Sequence, residues 1–199
     1  MDTKPTAQKW YSITPLAAAQ DSVAPEVEVF VLGNIGDRWD ENGVIAADMV
    51  KDLSKLEASR ITLRINSYGG SVTDGLAIYN ALKRHSAPVH AVIEGVALSC
   101  ASYIAMAADT IEMADNAQMM IHAPWGMTAG NARELREQAD MLDRYAQSMA
   151  GAYASKSGKP ADEIMAILTD GKDHWYSAAE AVAAGFADTV GPANAVSAH

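Results

Sequence analysis

The chain has 199 residues, a length that suits one domain with a full core. It is 49% hydrophobic and 20% charged, and its formal net charge of -10 disfavours a nucleic-acid backbone or an anionic membrane as a partner, since both need a basic surface. The single cysteine, Cys100, excludes an internal disulfide framework and a cysteine-rich zinc site.

The N-terminal stretch "MDTKPTAQKWYSITPLAAAQDSVAPE" lacks the apolar core of a secretory signal. No run approaches the roughly 18 apolar residues of a membrane span. The expectation is a cytoplasmic protein in which residues 1–26 form an arm that orders only on a neighbour. "VEVFVLGNIG" (27–36) reads as a buried strand, and 43–58 as a helix with Val44, Ala47, Val50, Leu53 and Leu56 on one stripe. A strand over 60–66, a helix over 74–85, a strand over 88–95 and a helix over 99–109 follow. Residues 110–126 read as two short strands about a turn at Asp115-Asn116. A long helix is expected over 131–158, ending at Gly158, with shorter ones over 160–168 and 177–185. Repeated β-α units imply an α/β domain with a parallel sheet, helices on its faces and right-handed crossovers.

Two strand-to-helix turns run through small residues, "NSYGGSV" and "EGVALSCAS". Backbone N–H groups at such turns can hold an anion between them. Neither G-x-x-x-x-G-K-[ST] nor G-x-G-x-x-G is present and no lysine lies beside either turn, which counts against a phosphate. Ser99 opens the second helix, where a serine is most often an N-cap. "MMIHAPWG" offers His122, and "DGKDHWYS" offers Asp173 in a polar turn. Serine, histidine and aspartate are the parts of a nucleophile, a general base and an orienting carboxylate. Spacing alone does not bring them together. His174 is a rival base, and Asp109, Asp115 and Asp170 are rival carboxylates that look like turn and cap residues. Ser102 and Cys100 read as packing residues, His85 and His90 as solvated ones. Tyr68, Trp125 and Met127 are candidate groove walls.

Four segments, in order, resemble the Clp protease proteolytic-subunit family, most of all its phage-type branch, the Clp-related head maturation (prohead) proteases. "INSYGGSVTDGLAIYNAL" is similar to the family's oxyanion segment, "GVALSCASYIAMAAD" to its nucleophile segment, "MMIHAPWG" to its histidine segment and "DHWYSAAEAVAAGFAD" to its aspartate segment. The likeness runs over 27–191, leaving 192–199 as a tail. It implies a crotonase/Clp-protease-like fold with a projecting long helix. It also implies a catalytic set of Ser99, His122 and Asp173, with oxyanion donors at Gly70 and Cys100. An extended peptide would be held by Gly69, Ser71 and Val72 on one side and by Ala123, Pro124 and Trp125 on the other.

The activity so implied is an ATP-independent serine endopeptidase that processes phage capsid or scaffold proteins, with no metal or organic cofactor. The partners implied are copies of the same chain in a ring, with rings stacked through the long helix. The arm does not resemble the axial gating segment of the housekeeping Clp subunit, which counts against an unfoldase ATPase partner. The rival readings are a housekeeping-type Clp subunit, a crotonase-fold enzyme holding a CoA thioester, and a non-catalytic assembly component.

Overall fold

The computed structural model describes residues 10–16, 24–36 and 46–192. Its strands are β1 (Tyr11–Pro15), β2 (Glu26–Ile35), β3 (Arg60–Gly70), β4 (Val89–Leu98), β5 (Thr110–Ala114), β6 (Gln118–Ile121), β7 (His174–Ser177) and β8 (Thr189–Gly191). Its helices are α1 (Ala46–Lys55), α2 (Val72–Arg84), α3 (Cys100–Ala105), α4 (Ala132–Ser157), α5 (Ala161–Thr169) and α6 (Ala178–Ala184). The main sheet has the order β1-β2-β3-β4-β5-β8, parallel from β2 onward, with β1 antiparallel at its edge.

Alternation along the strands builds one layer of the core. Val27, Val29 and Val31 of β2, Ile61, Leu63 and Ile65 of β3, and Val89, Ala91 and Ile93 of β4 are all buried. Parallel sheets usually have both faces covered. Here the second face carries ion pairs instead: Arg64 reaches Glu28 at 2.6 Å and Glu94 at 2.8 Å.

The sheet forks at β4. Its first half pairs with β5 through His90–Ile93, and its second half pairs with β6 through Val96–Leu98. The divergence opens beside Asn66, whose side-chain oxygen accepts the Val96 N–H at 3.2 Å. A side chain at Gly95 would strike that oxygen, at 2.7 Å from the Cβ. The fork leaves the end of β4, and therefore Ser99, with β6 alone as its lateral neighbour on that side.

Below the fork an aromatic row ties the helices to the sheet. Tyr79, Tyr103, Tyr153, Phe186 and Tyr176 contact one another in sequence, at ring-centre distances between 4.6 and 6.2 Å. α4 is 26 residues long, about 39 Å at 1.5 Å per residue. Asn131 caps its start by accepting from Arg133 and Glu134 N–H groups, and Gly158 ends it in the left-handed conformation, φ 71°. No residue of α4 before Ala146 is buried.

Several expectations need correction. Within the stretch 1–26, expected to order only on a neighbour, Tyr11–Pro15 pairs with β2 of the same chain and Trp10 and Tyr11 are buried. The described part of the first helix buries Ala46, Met49 and Leu53, whereas Ala47 is exposed; Val44 lies outside the described residues. β3 runs on through the glycine pair to Gly70, beyond the expected end at 66. β7 and β8 were not expected, and His85 is not simply solvated: its Nε2 meets the Leu56 carbonyl at 3.0 Å while Nδ1 accepts the Ala87 N–H.

Candidate active site

Ser99 stands between the end of β4 and the start of α3, in a conformation L-residues rarely adopt, φ 55° and ψ -128°. It is the only non-glycine residue with positive φ among the described residues. Such a conformation costs on the order of 1–3 kcal/mol and persists only where its surroundings enforce it. The enforcement is visible. Its N–H donates to the Met120 carbonyl at 3.0 Å, and its own carbonyl accepts from Ser102 Oγ at 2.7 Å. Although Ser99 occupies the N-cap position, its hydroxyl makes no capping hydrogen bond. Instead Oγ lies 2.7 Å from His122 Nε2. The simple capping role a serine usually has there is therefore absent.

His122 follows β6 directly, one residue beyond the strand. Its Nδ1 lies 3.1 Å from Asp173 Oδ1. Asp173 precedes β7, which pairs antiparallel with β6. The three side chains thus form one hydrogen-bonded line, with His122 Nδ1 the donor when Asp173 is ionised and Nε2 then free to accept from the serine hydroxyl. The rival base His174 is not in this line; its Nε2 meets Asp170 Oδ1 at 3.0 Å. That contact holds the Asp170 carboxyl below its usual range. Asp109 accepts the Val89 N–H at 2.8 Å, as a turn residue would, and Asp115 sits in the β5–β6 turn.

The glycine pair lies against the serine. A Cβ on Gly69, φ 92°, would stand 2.6 Å from the Leu98 carbonyl oxygen, 2.7 Å from Ser99 Cβ and 3.2 Å from the Cys100 nitrogen. A Cβ on Gly70, φ 149°, would stand 2.1 Å from the Ile35 carbonyl oxygen. Ser71 N–H donates to that same oxygen at 3.0 Å, so in the parallel register the Gly70 amide turns away from β2, toward Cys100. The Cys100 amide opens α3 and has no partner within the helix. The Cys100 thiol is buried, and burial, with the Asp74 charge adding to it, pushes its pKa up to about 12; a hydrogen bond from the Gly70 amide offsets part of the rise. At neutral pH it stays a thiol and is no rival nucleophile.

A cleft of about 570 Å³ opens in front of Ser99 and His122. Tyr68, Gly69 and Val72 wall one side, and Pro124, Trp125 and Met127 the other. Three of these are conspicuously solvent-facing: Tyr68 is 67%, Trp125 68% and Met127 82% exposed. Ser71 lines the cleft and also caps α2, accepting the Asp74 N–H at 3.4 Å. Ala123, expected to hold substrate, is half-buried and does not wall the cleft, which its neighbours His122, Pro124 and Trp125 do.

The sequence reading missed several supports. Ser67 Oγ donates to the Gly33 carbonyl at 2.6 Å and accepts the Gly69 N–H at 3.2 Å, fixing the glycine pair. Ile35 and Gly36, at the end of β2, join the cleft wall. Ser102, read as packing, is fully buried but hydrogen-bonded to Ser99, Met120 and Tyr153. The available signal for Ser67 was a polar residue on the inward register of β3, after Ile61, Leu63 and Ile65; Asn66, on the outward register with Arg60, Thr62 and Arg64, gave none. Among the described residues no group of three or more His, Cys, Asp or Glu side chains could hold a metal ion, and no helix is long and apolar enough to cross a membrane.

Comparison with known proteins bears on the family of the chain. The model of the family described as Clp protease matches residues 17–194. The chain is also 33% identical over 136 residues to the "ATP-dependent Clp protease proteolytic subunit" of Pleurastrum terricola, across 67% of this chain and 68% of that protein. A match that takes in both sheet edges of the cleft and all three hydrogen-bonded side chains decides the matter: the chain belongs to the Clp protease family and is by class a serine-type peptidase.

Proposed function

We propose that the chain is an ATP-independent serine endopeptidase whose catalytic residues are Ser99, His122 and Asp173. The observation that carries this is the unbroken line from Ser99 Oγ through the imidazole to Asp173, 2.7 Å and 3.1 Å at its two links. His122 Nε2 removes the hydroxyl proton as Oγ attacks the scissile carbonyl carbon. The tetrahedral intermediate collapses to an acyl-enzyme when the same proton passes to the leaving amine. Water then repeats the sequence in reverse. Asp173 holds the Nδ1–H tautomer and offsets the imidazolium charge. The Cys100 amide receives the oxyanion together with the Gly70 amide, which exchanges its hydrogen bond to the Cys100 thiol for one to the substrate; one such donor is worth about 3 kcal/mol in the transition state.

The substrate is an extended peptide laid as a strand between Gly69–Ser71–Val72 and Ala123–Pro124–Trp125. The backbone of Ala123, rather than its side chain, serves there. No metal or organic cofactor takes part. The active form is a homo-oligomeric ring in the cytoplasm, with rings stacked through the exposed half of α4. The natural substrate is a phage capsid or scaffold protein cut during head maturation, a reading supported by the likeness of the four motifs to the phage-type branch.

The housekeeping reading, a subunit fed by an unfoldase ATPase, is favoured by the printed name of the relative from Pleurastrum terricola. Purified protein mixed with candidate capsid and scaffold proteins separates the two. Discrete ATP-free cleavage by the wild type, absent with Ser99→Ala, supports head maturation. Cleavage that requires an unfoldase and ATP supports the housekeeping reading, and equal cleavage by both proteins overturns the peptidase assignment.

A further inference from the structure

Tyr153 lies on α4, 1% exposed, and its hydroxyl sits 2.7 Å from Ser102 Oγ. That serine is 0% exposed and lies 2.7 Å from the Ser99 carbonyl oxygen and 3.0 Å from the Met120 carbonyl oxygen. A hydroxyl has one proton to give and can accept. Two carbonyls cannot donate; each accepts backbone N–H groups as well, Ser99 O from Ser102 and Tyr103 at 3.0 and 3.3 Å and Met120 O from Ser99 at 3.0 Å, whereas Ser102 Oγ is the acceptor within reach of the Tyr153 O–H. The one arrangement that leaves every group satisfied has Tyr153 O–H donating to Ser102 Oγ and Ser102 O–H donating to Ser99 O, shared with Met120 O. Donors aligned in one direction reinforce each other.

The end of this chain is the strained peptide of the nucleophile. Ser99 N–H is held by the Met120 carbonyl, and Ser99 C=O is held by Ser102. Met120 also lies two residues before His122, on the strand that delivers the base. One buried hydroxyl pair therefore reinforces the backbone hydrogen bonds on both sides of Ser99, those of the Ser102 and Tyr103 amides to its carbonyl and of its own N–H to Met120, and reaches the strand carrying its partner. Packing alone does not require this, since a phenylalanine would fill the place of the Tyr153 ring. The hydroxyl has a task that the ring does not.

We infer that Tyr153 is a positioning residue for the nucleophile, acting through Ser102 to hold Ser99 in its positive-φ conformation. This rests on the peptidase reading above. Loss of the Tyr153 hydroxyl leaves Ser102 free to rotate and weakens its hold on the Ser99 carbonyl. The serine backbone then relaxes toward an ordinary conformation and draws Oγ away from Nε2. Substrate binding, which the cleft edges supply, is unaffected.

The test compares full-length wild type, Tyr153→Phe, Ser102→Ala and, as a control for loss of a buried tyrosine hydroxyl elsewhere in the aromatic row, Tyr103→Phe. For each, kcat and KM for a fluorogenic peptide, the rate of Ser99 labelling by a fluorophosphonate and the melting temperature are measured. The expected result for Tyr153→Phe is a fall of about tenfold in both kcat and labelling rate, the effect of one lost hydrogen bond, with KM within about twofold of wild type. Ser102→Ala should fall at least as far, at temperatures where each variant is folded, and Tyr103→Phe should keep wild-type kinetics. Wild-type kcat and labelling rate in folded Tyr153→Phe and Ser102→Ala overturn the inference, as does a loss confined to KM or one shared equally by Tyr103→Phe. A wild type that neither cleaves nor labels overturns the peptidase reading itself, and the inference falls with it.

Discussion

Ile121 pairs with His174 across the antiparallel β6–β7 ladder, and that register sets His122 opposite Asp173. The next residue out on each strand is brought face to face, and the imidazole Nδ1 meets the carboxylate at 3.1 Å. A shift of one residue would instead present His174, which in this register turns to Asp170. The choice of carboxylate and the exclusion of the rival histidine thus have a single structural cause.

This register makes a clear kinetic prediction. Ser99→Ala and His122→Ala should each abolish peptidase activity to a similar extent, because the two groups act as a unit. Asp173→Asn should cost on the order of 10³–10⁴ in kcat, by loss of the correct tautomer. His174→Ala should keep activity within a few-fold of wild type. An inactive His174→Ala beside an active His122→Ala would show that the ladder is offset in solution.

The glycine pair should tolerate no side chain. Gly69→Ala brings a methyl group to 2.7 Å from Ser99 Cβ, and Gly70→Ala brings one to 2.1 Å from the Ile35 carbonyl oxygen. Both also require a backbone conformation that alanine resists. Each variant should lose at least about 100-fold in kcat, as expected where an oxyanion donor is displaced, and should melt below wild type. Peptide hydrolysis and thermal unfolding check both parts.

Alkaline pH should destabilise the fold. Burial raises the pKa of Tyr103 and Tyr153, and burial aided by Asp52 raises that of Tyr11. Burial likewise pushes Cys100 up to about 12. In each case the folded protein keeps the proton longer than the unfolded chain. The stabilisation is complete below the unfolded values, near pH 9–10, and is lost as pH rises through the folded ones. Urea unfolding at pH 8, 9.5 and 11 should show a steadily falling stability. Iodoacetamide should leave Cys100 unmodified at pH 8 until the chain unfolds.

The exposed half of α4 should carry association. Leu135 is 44% exposed, and Met141, Leu142 and Tyr145 are only partly covered within the chain. The wild type should sediment as a closed oligomer at micromolar concentration. Leu135→Asp combined with Leu142→Asp should release smaller species that keep wild-type circular dichroism. A wild-type monomer with full proteolytic activity would remove the ring, and the stacking of rings, from the account.

The β-α order, the parallel sheet and the long capped helix were legible because local signals carried them: alternation in β2 to β4, Asn131 and Gly158 at the ends of α4. The residues of the Ser99–His122–Asp173 line were also legible, through motifs that resemble a known family. Its supports were not. β7 has only four residues and no fully buried one, so its strand pattern is too short to read, although it sets the Asp173 position. The pairing of Tyr11–Pro15 with β2 depends on a partner strand rather than on its own periodicity. Ser102 and Tyr153 are 51 residues apart, and nothing local in either segment points to the other.

The central claim is that the Ser99 hydroxyl is the nucleophile, activated by His122. Its most direct test is to incubate wild type, Ser99→Ala and His122→Ala with a fluorophosphonate and locate the adduct by peptide mass spectrometry. The account predicts one adduct per wild-type chain, on Ser99, slow or absent labelling of His122→Ala, and none of Ser99→Ala. An adduct on another residue, or undiminished peptide cleavage by Ser99→Ala, would contradict it.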